Sequence, residues 1–439
     1  MKFVDLFAGL GGFNAALRHL GHECVFASEI DNGLRDLYAE NFPEIDGRIF
    51  GDIRVCRDDV PPHDILCAGF PCQPFSKSGF QLGLHDKIKG TLFDEIVYIL
   101  EKRRPKYVFM ENVGNFERHD KGRTWQIVRE KLEALQYEVR GTEHVTSGGS
   151  GLLSPQHFGY PHSRERFFII AIQGELPANP FPKGSRKCKT DLKSIVQSPD
   201  ELTEHDRKET RLTRTQIECI DHWNLLLARL PEEAPLPSFP IWGDEIDATY
   251  PYVDYTPFSA PTDELARCLN GHETEITWTH EELLRLLPRY AQTPQKRFPK
   301  WKIEFIRQNR EWFQRYRSDF SEQWVMKLQS FPPSLRKLEW NCQGEERDLW
   351  KYVLQFRPSG LRVKRYTSSP SLVAMTSTQI PILGPEKRFL SRVEGLRLQG
   401  FSDQHKLPNS RELAFQALGN AVHVGLLETI ARQMLSSTK

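Results

Sequence analysis

Cysteine is scarce, with eight in 439 residues and no CxxC pair among them. That excludes a disulfide framework and a cysteine-built zinc site, and makes reduced thiols the expectation. Surplus charge is missing too, since 59 lysines and arginines stand against 58 aspartates and glutamates. Any surface for a polyanion must therefore arise from where charges sit. No run approaches the roughly 18 apolar residues that a membrane helix needs. The N-terminus reaches Asp5 at once and lacks the apolar stretch and small-residue cleavage site of a secretory signal. No membrane contact and a cytoplasmic location are the expectations. Internal repeats and low-complexity tracts are absent as well. What remains is the composition of a folded protein, 39% hydrophobic and 27% charged, long enough for two or more lobes.

Residues 1–172 alternate short apolar runs with amphipathic stretches, the pattern of βαβ units in a mostly parallel sheet. Strands are expected at residues 2–7, 23–28, 64–68, 106–111, 137–145 and 166–172. Helices are expected at 11–20, 31–42, 92–102 and 124–135. From Gln173 onward Pro177, Pro180 and Pro182 open a polar, basic stretch that reads as a crossing between lobes. Of nine tryptophans only Trp125 precedes this point, and the other eight lie between residues 223 and 350. Regular alternation stops there. It resumes after Pro381, with helical spacing at 392–399 and a last helix expected at 421–435.

The first strand runs into Asp5-Leu6-Phe7-Ala8-Gly9-Leu10-Gly11-Gly12, a turn whose glycines admit a ligand close to the backbone. A strict GxGxxG is absent, and a purely structural turn can carry three glycines too. Glu29 ends the second strand 24 residues beyond Asp5, near the ~20-residue offset at which an acidic side chain meets a ribose. Asp52 can accept from an adenine amino group, or be a solvated turn aspartate. The sharpest signal is Gly69-Phe70-Pro71-Cys72-Gln73-Pro74-Phe75-Ser76 at a strand's carboxyl end. A cysteine between two nearby prolines lies in a rigid, non-helical loop, which suits a positioned nucleophile. Glu111-Asn112-Val113 follows a buried strand, where a partly desolvated carboxyl has a raised pKa and can share a proton with a ring nitrogen. Helix capping is the alternative. Arg164 and Arg166, in His162-Ser163-Arg164-Glu165-Arg166, can hold a carbonyl oxygen or phosphate, or be ordinary surface charge.

Taken in order, Asp5 to Phe13, Glu29, Pro71-Cys72-Gln73, Glu111-Asn112-Val113, Arg164-Glu165-Arg166, Arg397-Leu398-Gln399-Gly400-Phe401 and Gly419-Asn420-Ala421-Val422 resemble the DNA (cytosine-5)-methyltransferase family. The resemblance implies an α/β fold, with a Rossmann-like S-adenosylmethionine-dependent methyltransferase lobe and a second, smaller target-recognition lobe. It implies a catalytic and cofactor-binding domain over 1–175, a target-recognition domain over 176–407, and a segment 408–439 returning to the catalytic domain. The activity implied is methylation of C5 of a cytosine in a short double-stranded DNA sequence. S-adenosylmethionine would become S-adenosylhomocysteine, and no metal would be needed. By the same resemblance Cys72 adds to C6, Glu111 supports protonation at N3, and Arg166 with Arg164 orients the ring through O2. Phe7, Gly9, Gly11 and Gly12 match the methionine-binding loop, Glu29 the ribose site and Asp52, beside Ile53, the adenine amino site. Ile30 and Leu92 would flank the adenine, and Asn420 would return beside the glycine turn. Gln73, Ser76, Lys77, Ser78 and Lys89 lie in a stretch that would close over DNA around a cytosine rotated out of the duplex. Two positions depart from the family: His162 stands where glutamine is usual, and Ala421 where serine is usual. The context implied is a cytoplasmic, nucleoid-associated monomer paired with a cognate restriction endonuclease.

Between Arg285 and Arg317 ten basic residues face two acidic ones, Glu304 and Glu311, interleaved with Trp301, Phe305, Trp312, Phe313 and Tyr316. The basic side chains can neutralise phosphates, while near-helical spacing favours the aromatics as a core face. Other readings are a tRNA methyltransferase of the same chemistry, a cytosine-flipping or cofactor-sensing binding protein, and a nicotinamide oxidoreductase. The large insert speaks against the first and the set Cys72, Glu111, Arg164 and Arg166 against the second. The Pro-Cys-Gln loop is left unexplained by the third.

Overall fold

The structure, a computed structural model, describes residues 1–45, 47–71, 91–143, 150–270, 278–374 and 377–436. The chain forms two compact units. The larger comprises Met1–Glu209, Tyr366–Ser377 and Leu390–Lys439, and the smaller Thr210–Arg365 and Thr378–Phe389.

In the larger unit the strands are β1 (Lys2–Leu6), β2 (Glu23–Ser28), β3 (Ile49–Phe50), β4 (Ile65–Ala68), β5 (Tyr107–Val113), β6 (Glu138–Gly141), β7 (His162–Ser163) and β8 (Arg166–Ile172). Its first helices are α1 (Gly12–His19), α2 (Asn32–Asn41), α3 (Ile53–Cys56), α4 (Leu92–Arg103) and α5 (Arg123–Ala134). Seven strands form one sheet in the order β3-β2-β1-β4-β5-β8-β6, while β7 pairs separately with Ser369–Pro370. Neighbours from β3 to β5 run parallel, and β8 runs antiparallel to both β5 and β6. Strands covered on both faces read as continuous apolar runs, which is why Ile65-Leu66-Cys67-Ala68 is wholly buried and β8 is buried after its first residue. Local chemistry sets the helix starts: Asp31 accepts from the Leu34 N–H at 2.9 Å, and Thr91 and Asp94 make a capping box. This is a Rossmann-like, doubly wound sheet. Its strand order reverses at β1 and β4, so the crevice for a ligand lies beyond their carboxyl ends.

Residues 173–209 do not form the expected crossing. Leu192 and Ile195 are buried, Gln197 N–H donates to the Glu394 carboxylate at 2.8 Å, and Leu192 N–H to the Tyr366 carbonyl at 3.3 Å. Prolines and lysines gave the stretch a linker's composition, but its buried apolar residues keep it in the larger unit. The units therefore part at Glu209 rather than 175, and the chain returns from Leu390 rather than 408.

The final segment is two helices, Arg411–Asn420 and Val424–Ser436, where one was expected from residue 421. The chain between them packs on the glycine turn. A Cβ on Gly12 would stand 2.7 Å from the Val422 carbonyl oxygen, and one on Gly11, whose φ is +79°, would strike the Phe42 ring. His405 Nε2 lies 2.9 Å from the Leu10 carbonyl, and Lys406 pairs with Glu40 at 2.7 Å, so both ends of the chain build this unit.

The smaller unit holds a six-stranded sheet and the helix Lys300–Arg315. Of the expected core face Trp312 and Phe313 are buried, together with Ile306 and Asn309, while Phe305 and Tyr316 are half-buried and Trp301 is 56% exposed. Among the described residues no helix is long and apolar enough to cross a membrane.

Gly12→Ala should cost about 1–3 kcal/mol, the range for overpacking against atoms that cannot retreat, because the obstructing atom is backbone. Denaturant unfolding of the full chain reads this, and unchanged stability would contradict the close approach.

Candidate active site

Separate segments of the chain meet at the carboxyl edge of the sheet around one cavity of about 530 Å³. Phe7, Gly9 and Gly12 reach it from the turn after β1, Glu29 and Ile30 from the end of β2, and Asp52 and Ile53 from the end of β3. Leu92 lines it from the first turn of α4, Glu111 from β5, Arg164 and Arg166 from β8 and the residues before it, and Asn420 from the last segment. Gly11 is turned instead toward α2, against Phe42 and Tyr38. Cys72, Gln73, Ser76, Lys77, Ser78 and Lys89 lie outside the described residues. The chain leads toward Cys72 through Gly69, Phe70 and Pro71, which border the same cavity.

The glycine turn is held open by unusual backbone. Phe7 has φ +57° and Gly9 +53°, and an aromatic residue in the left-handed region carries strain of order 1 kcal/mol or more. Glu29 fixes this turn by accepting the Gly9 N–H at 2.9 Å on one carboxylate oxygen and the Asp31 N–H at 3.0 Å on the other. A carboxylate offers about four acceptor sites, so lone pairs remain for a diol. Asp52 caps α3 by accepting the Arg54 N–H at 3.0 Å, and Arg54 Nε grips it at 2.9 Å. These hydrogen bonds hold the Asp52 carboxyl below its usual range. Ile30, 65% exposed, offers an apolar face beside these two acids.

At the other end Glu111 is 7% exposed. Burial pushes its carboxyl pKa up, against the pull of Arg166 and Arg164. Its Oε1 is ion-paired with Arg166 Nε at 3.0 Å, and among the described residues that oxygen accepts no well-aligned hydrogen bond. Arg164 has a different occupation. It is 2% exposed and donates to the carbonyls of Gly419 at 2.8 Å and Ala421 at 3.0 Å, with a longer contact to Leu372. Burial pulls its guanidinium down to about 9, helped by Arg166. At Ala421, where the family usually has serine, it is the backbone carbonyl that takes the guanidinium. His162 is fully buried, and burial, with Arg164 nearby, holds it well below the usual histidine range.

Three contributors escaped sequence reasoning. Asn112 Nδ2 donates to the Phe70 carbonyl at 2.9 Å, tying the approach to Cys72 to β5. Arg54 clasps Asp52. Asp5, wholly buried in β1, accepts from Tyr38 Oη at 3.1 Å, and Asn14 Nδ2 donates to the same hydroxyl at 2.9 Å. An acid inside an apolar central strand was the available signal.

A family model for C-5 cytosine-specific DNA methylases matches residues 1–233 and 269–436. The type II methyltransferase M.AluI of Cellulosimicrobium cellulans is 32% identical, over 98% of this chain and 91% of its own length. M.HhaI of Haemophilus parahaemolyticus is 41% identical over 50% of this chain and 64% of its own length, and M.HaeII of Haemophilus aegyptius 35% identical over 58% and 72%. The chain belongs to the C-5 cytosine-specific DNA methylase family, and is a DNA (cytosine-5)-methyltransferase.

Burial raises the Asp5 pKa from 3.8 to about 8. The folded chain then holds a proton that the unfolded chain releases, so stability is full below the lower value and falls as pH rises through the upper one. Asp5→Asn should flatten that fall across the window between them, measured by urea unfolding at several pH values. Parallel pH profiles for the two proteins would refute the assignment.

Proposed function

We propose that this enzyme uses S-adenosylmethionine to methylate C5 of a cytosine rotated out of double-stranded DNA, through a covalent bond from Cys72 to C6, as the modification enzyme of a type II restriction-modification system. The observation that carries the reading is one cavity bordered by a diol-accepting carboxylate, Glu29, and by a buried carboxyl with a raised pKa beside an arginine, Glu111 with Arg166.

The lining fits the cofactor. The remaining lone pairs of Glu29 suit the ribose hydroxyls, Asp52 suits an amino group, and Ile30 and Leu92 suit a flat ring. Phe7, Gly9 and Gly12 leave backbone room for the methionine portion, and Asn420 closes the side formed by the chain's end. Bound S-adenosylmethionine supplies the methyl group on a sulfonium, which leaves as a neutral thioether.

C5 of cytosine is a weak nucleophile, so the ring must first be activated. The Cys72 thiolate forms a bond to C6, and the C5–C6 electron pair moves to C5. Glu111 holds a proton near neutral pH more readily than an exposed glutamate and delivers it to N3. Arg166 holds the ring's O2 and keeps Glu111 oriented. Arg164 acts at one remove, as the clamp on the wall that carries Asn420. After methylation water removes the C5 proton, the C5–C6 double bond re-forms as Cys72 leaves as thiolate, and N3 returns its proton to Glu111. Rotating the base out costs a few kcal/mol, and the loop with Gln73, Ser76, Lys77, Ser78 and Lys89 supplies compensating contacts.

Cys72→Ser should abolish methylation while retaining DNA binding. Bisulfite sequencing of plasmid DNA from expressing cells should give protected cytosines in one short motif with wild type and none with the variant. Near-normal protection by the variant would remove the nucleophile. Glu29→Ala should weaken S-adenosylmethionine binding by roughly tenfold to a hundredfold, the loss of hydrogen bonds to a charged acceptor, and an unchanged calorimetric Kd would remove its ribose role.

A further inference from the structure

The basic stretch from Arg285 to Arg317 divides into two chemically different parts. Its C-terminal part is largely neutralised within the smaller unit. Arg307 pairs with Glu304 at 2.7 Å, Arg310 Nε lies 2.9 Å from the buried Glu245, and Arg317 pairs with Asp247 at 2.9 Å. Arg285 pairs with Glu281 at 2.6 Å. From Arg289 to Lys302, by contrast, the sequence has five basic residues and no acidic one. Lys302 is spent internally, its ammonium donating to the Tyr290 carbonyl at 3.0 Å. Arg289, Lys296, Arg297 and Lys300 are exposed, and among the described residues no carboxylate pairs with them.

These charges stand on a fixed backbone. The Lys296 carbonyl accepts the Thr256 N–H at 3.1 Å and the Ser259 hydroxyl at 2.9 Å, and the Gln295 carbonyl accepts the Thr256 hydroxyl at 2.6 Å. Ala291 and Phe298 anchor the loop in the core. Beside it Trp301 is 56% exposed, its indole braced edge-on by Phe305 at 5.8 Å. A preorganised loop with uncompensated cations and an exposed aromatic plate matches the electrostatic footprint of a nucleic-acid site.

We infer that Lys296, Arg297 and Lys300 bind backbone phosphates of the DNA substrate, with Trp301 against the adjoining sugar and base edges. This deepens the proposed function and rests on it for the identity of the polyanion. Three phosphate contacts release three counterions, and each contributes about 0.9 to the slope of log affinity against log salt.

The test titrates full-length wild type and the triple variant K296Q/R297Q/K300Q with a labelled plasmid fragment over a salt series. The slope should fall by about 2 to 3 in the variant, while the Kd for S-adenosylmethionine stays at the wild-type value. The control R214Q/R267Q/R285Q, whose arginines pair with Glu218 at 2.8 Å, Asp263 at 3.3 Å and Glu281 at 2.6 Å, should change it by less than one. Equal slopes for wild type and K296Q/R297Q/K300Q overturn the inference, and so does binding of a tRNA transcript in place of the fragment through the same three side chains. Trp301→Ala should raise the DNA KM about tenfold, within the range for a lost aromatic stack, with kcat retained; an unchanged KM removes Trp301 from the surface. A wild type that methylates the fragment while the slopes stay equal defeats the surface and leaves the function. A wild type that leaves every cytosine unmethylated yet shows the three-residue slope defeats the function and leaves the surface.

Discussion

The guanidinium of Arg164 is almost sealed from solvent, and its donors reach the carbonyls of Gly419 and Ala421. A buried cation is tolerated only when its donors are satisfied, so this group and the chain's end hold one another in place. The end of the Arg411–Asn420 helix is thereby fixed beside the glycine turn, where Gly12 leaves room for the Val422 carbonyl. Gly419 is pressed in turn against Ala374, since a Cβ there would stand 2.7 Å from its backbone nitrogen. Three stretches distant in sequence thus share one wall of the cavity, and a large insertion between them leaves that wall intact as long as the clamp can close.

Protonation divides the same unit by depth. Asp5 beneath the glycine turn is raised to about 8 by burial, and Glu111 is raised for the same reason. Asp52, held by the hydrogen bonds of Arg54, moves the other way. Burial therefore favours the protonated form of the acids at the back of the sheet's edge, while hydrogen bonds favour the charged form of the acid near its mouth. The arrangement suits chemistry in which one carboxyl must deliver a proton and others must only receive hydrogen bonds.

Much of this was legible in the sequence because buried parallel strands leave a strong trace. β2 and β8 fall on the expected residues, as does the helix Arg392–Gln399, and the site residues at strand ends follow from those boundaries. The failures have physical causes. Pro177 to Lys189 has a linker's composition, yet the neighbouring Leu192 and Ile195 bury themselves in the larger unit. The last helix lies close to where it was expected, but the helix Arg411–Asn420 before it was not foreseen, and the Ala421 carbonyl between them is taken by a side chain 257 residues away. The roles of Arg54 and Asn112 depend on partners that no local pattern specifies. Among the aromatics, spacing foretold Trp312 and Phe313 as core but could not tell that Trp301, a turn too early, clears the buried face.

The family match passes over residues 234–268, and those residues are structural. Trp242, Tyr250, Ala260 and Leu265 enter one core with Phe298 and Ile306. Glu245 is 1% exposed and accepts from Tyr290 Oη at 2.6 Å and from Arg310 Nε at 2.9 Å, with Tyr250 Oη as a further donor. A buried carboxylate with that many donors must be matched by all of them or none, so this stretch and the helix Lys300–Arg315 are interdependent. Thr256 and Ser259 then extend the same interdependence to the loop at Gln295 and Lys296. The part of the chain least constrained by the family pattern is thus what shapes a charged surface in the smaller unit, while the cavity in the larger depends on Arg164 and the glycine turn. Exposed positions on that surface, unlike the Glu245 network beneath them, can change without disturbing the hydrogen bonds that assemble the cavity, which is the physical condition for changing what is bound while keeping what is done to it.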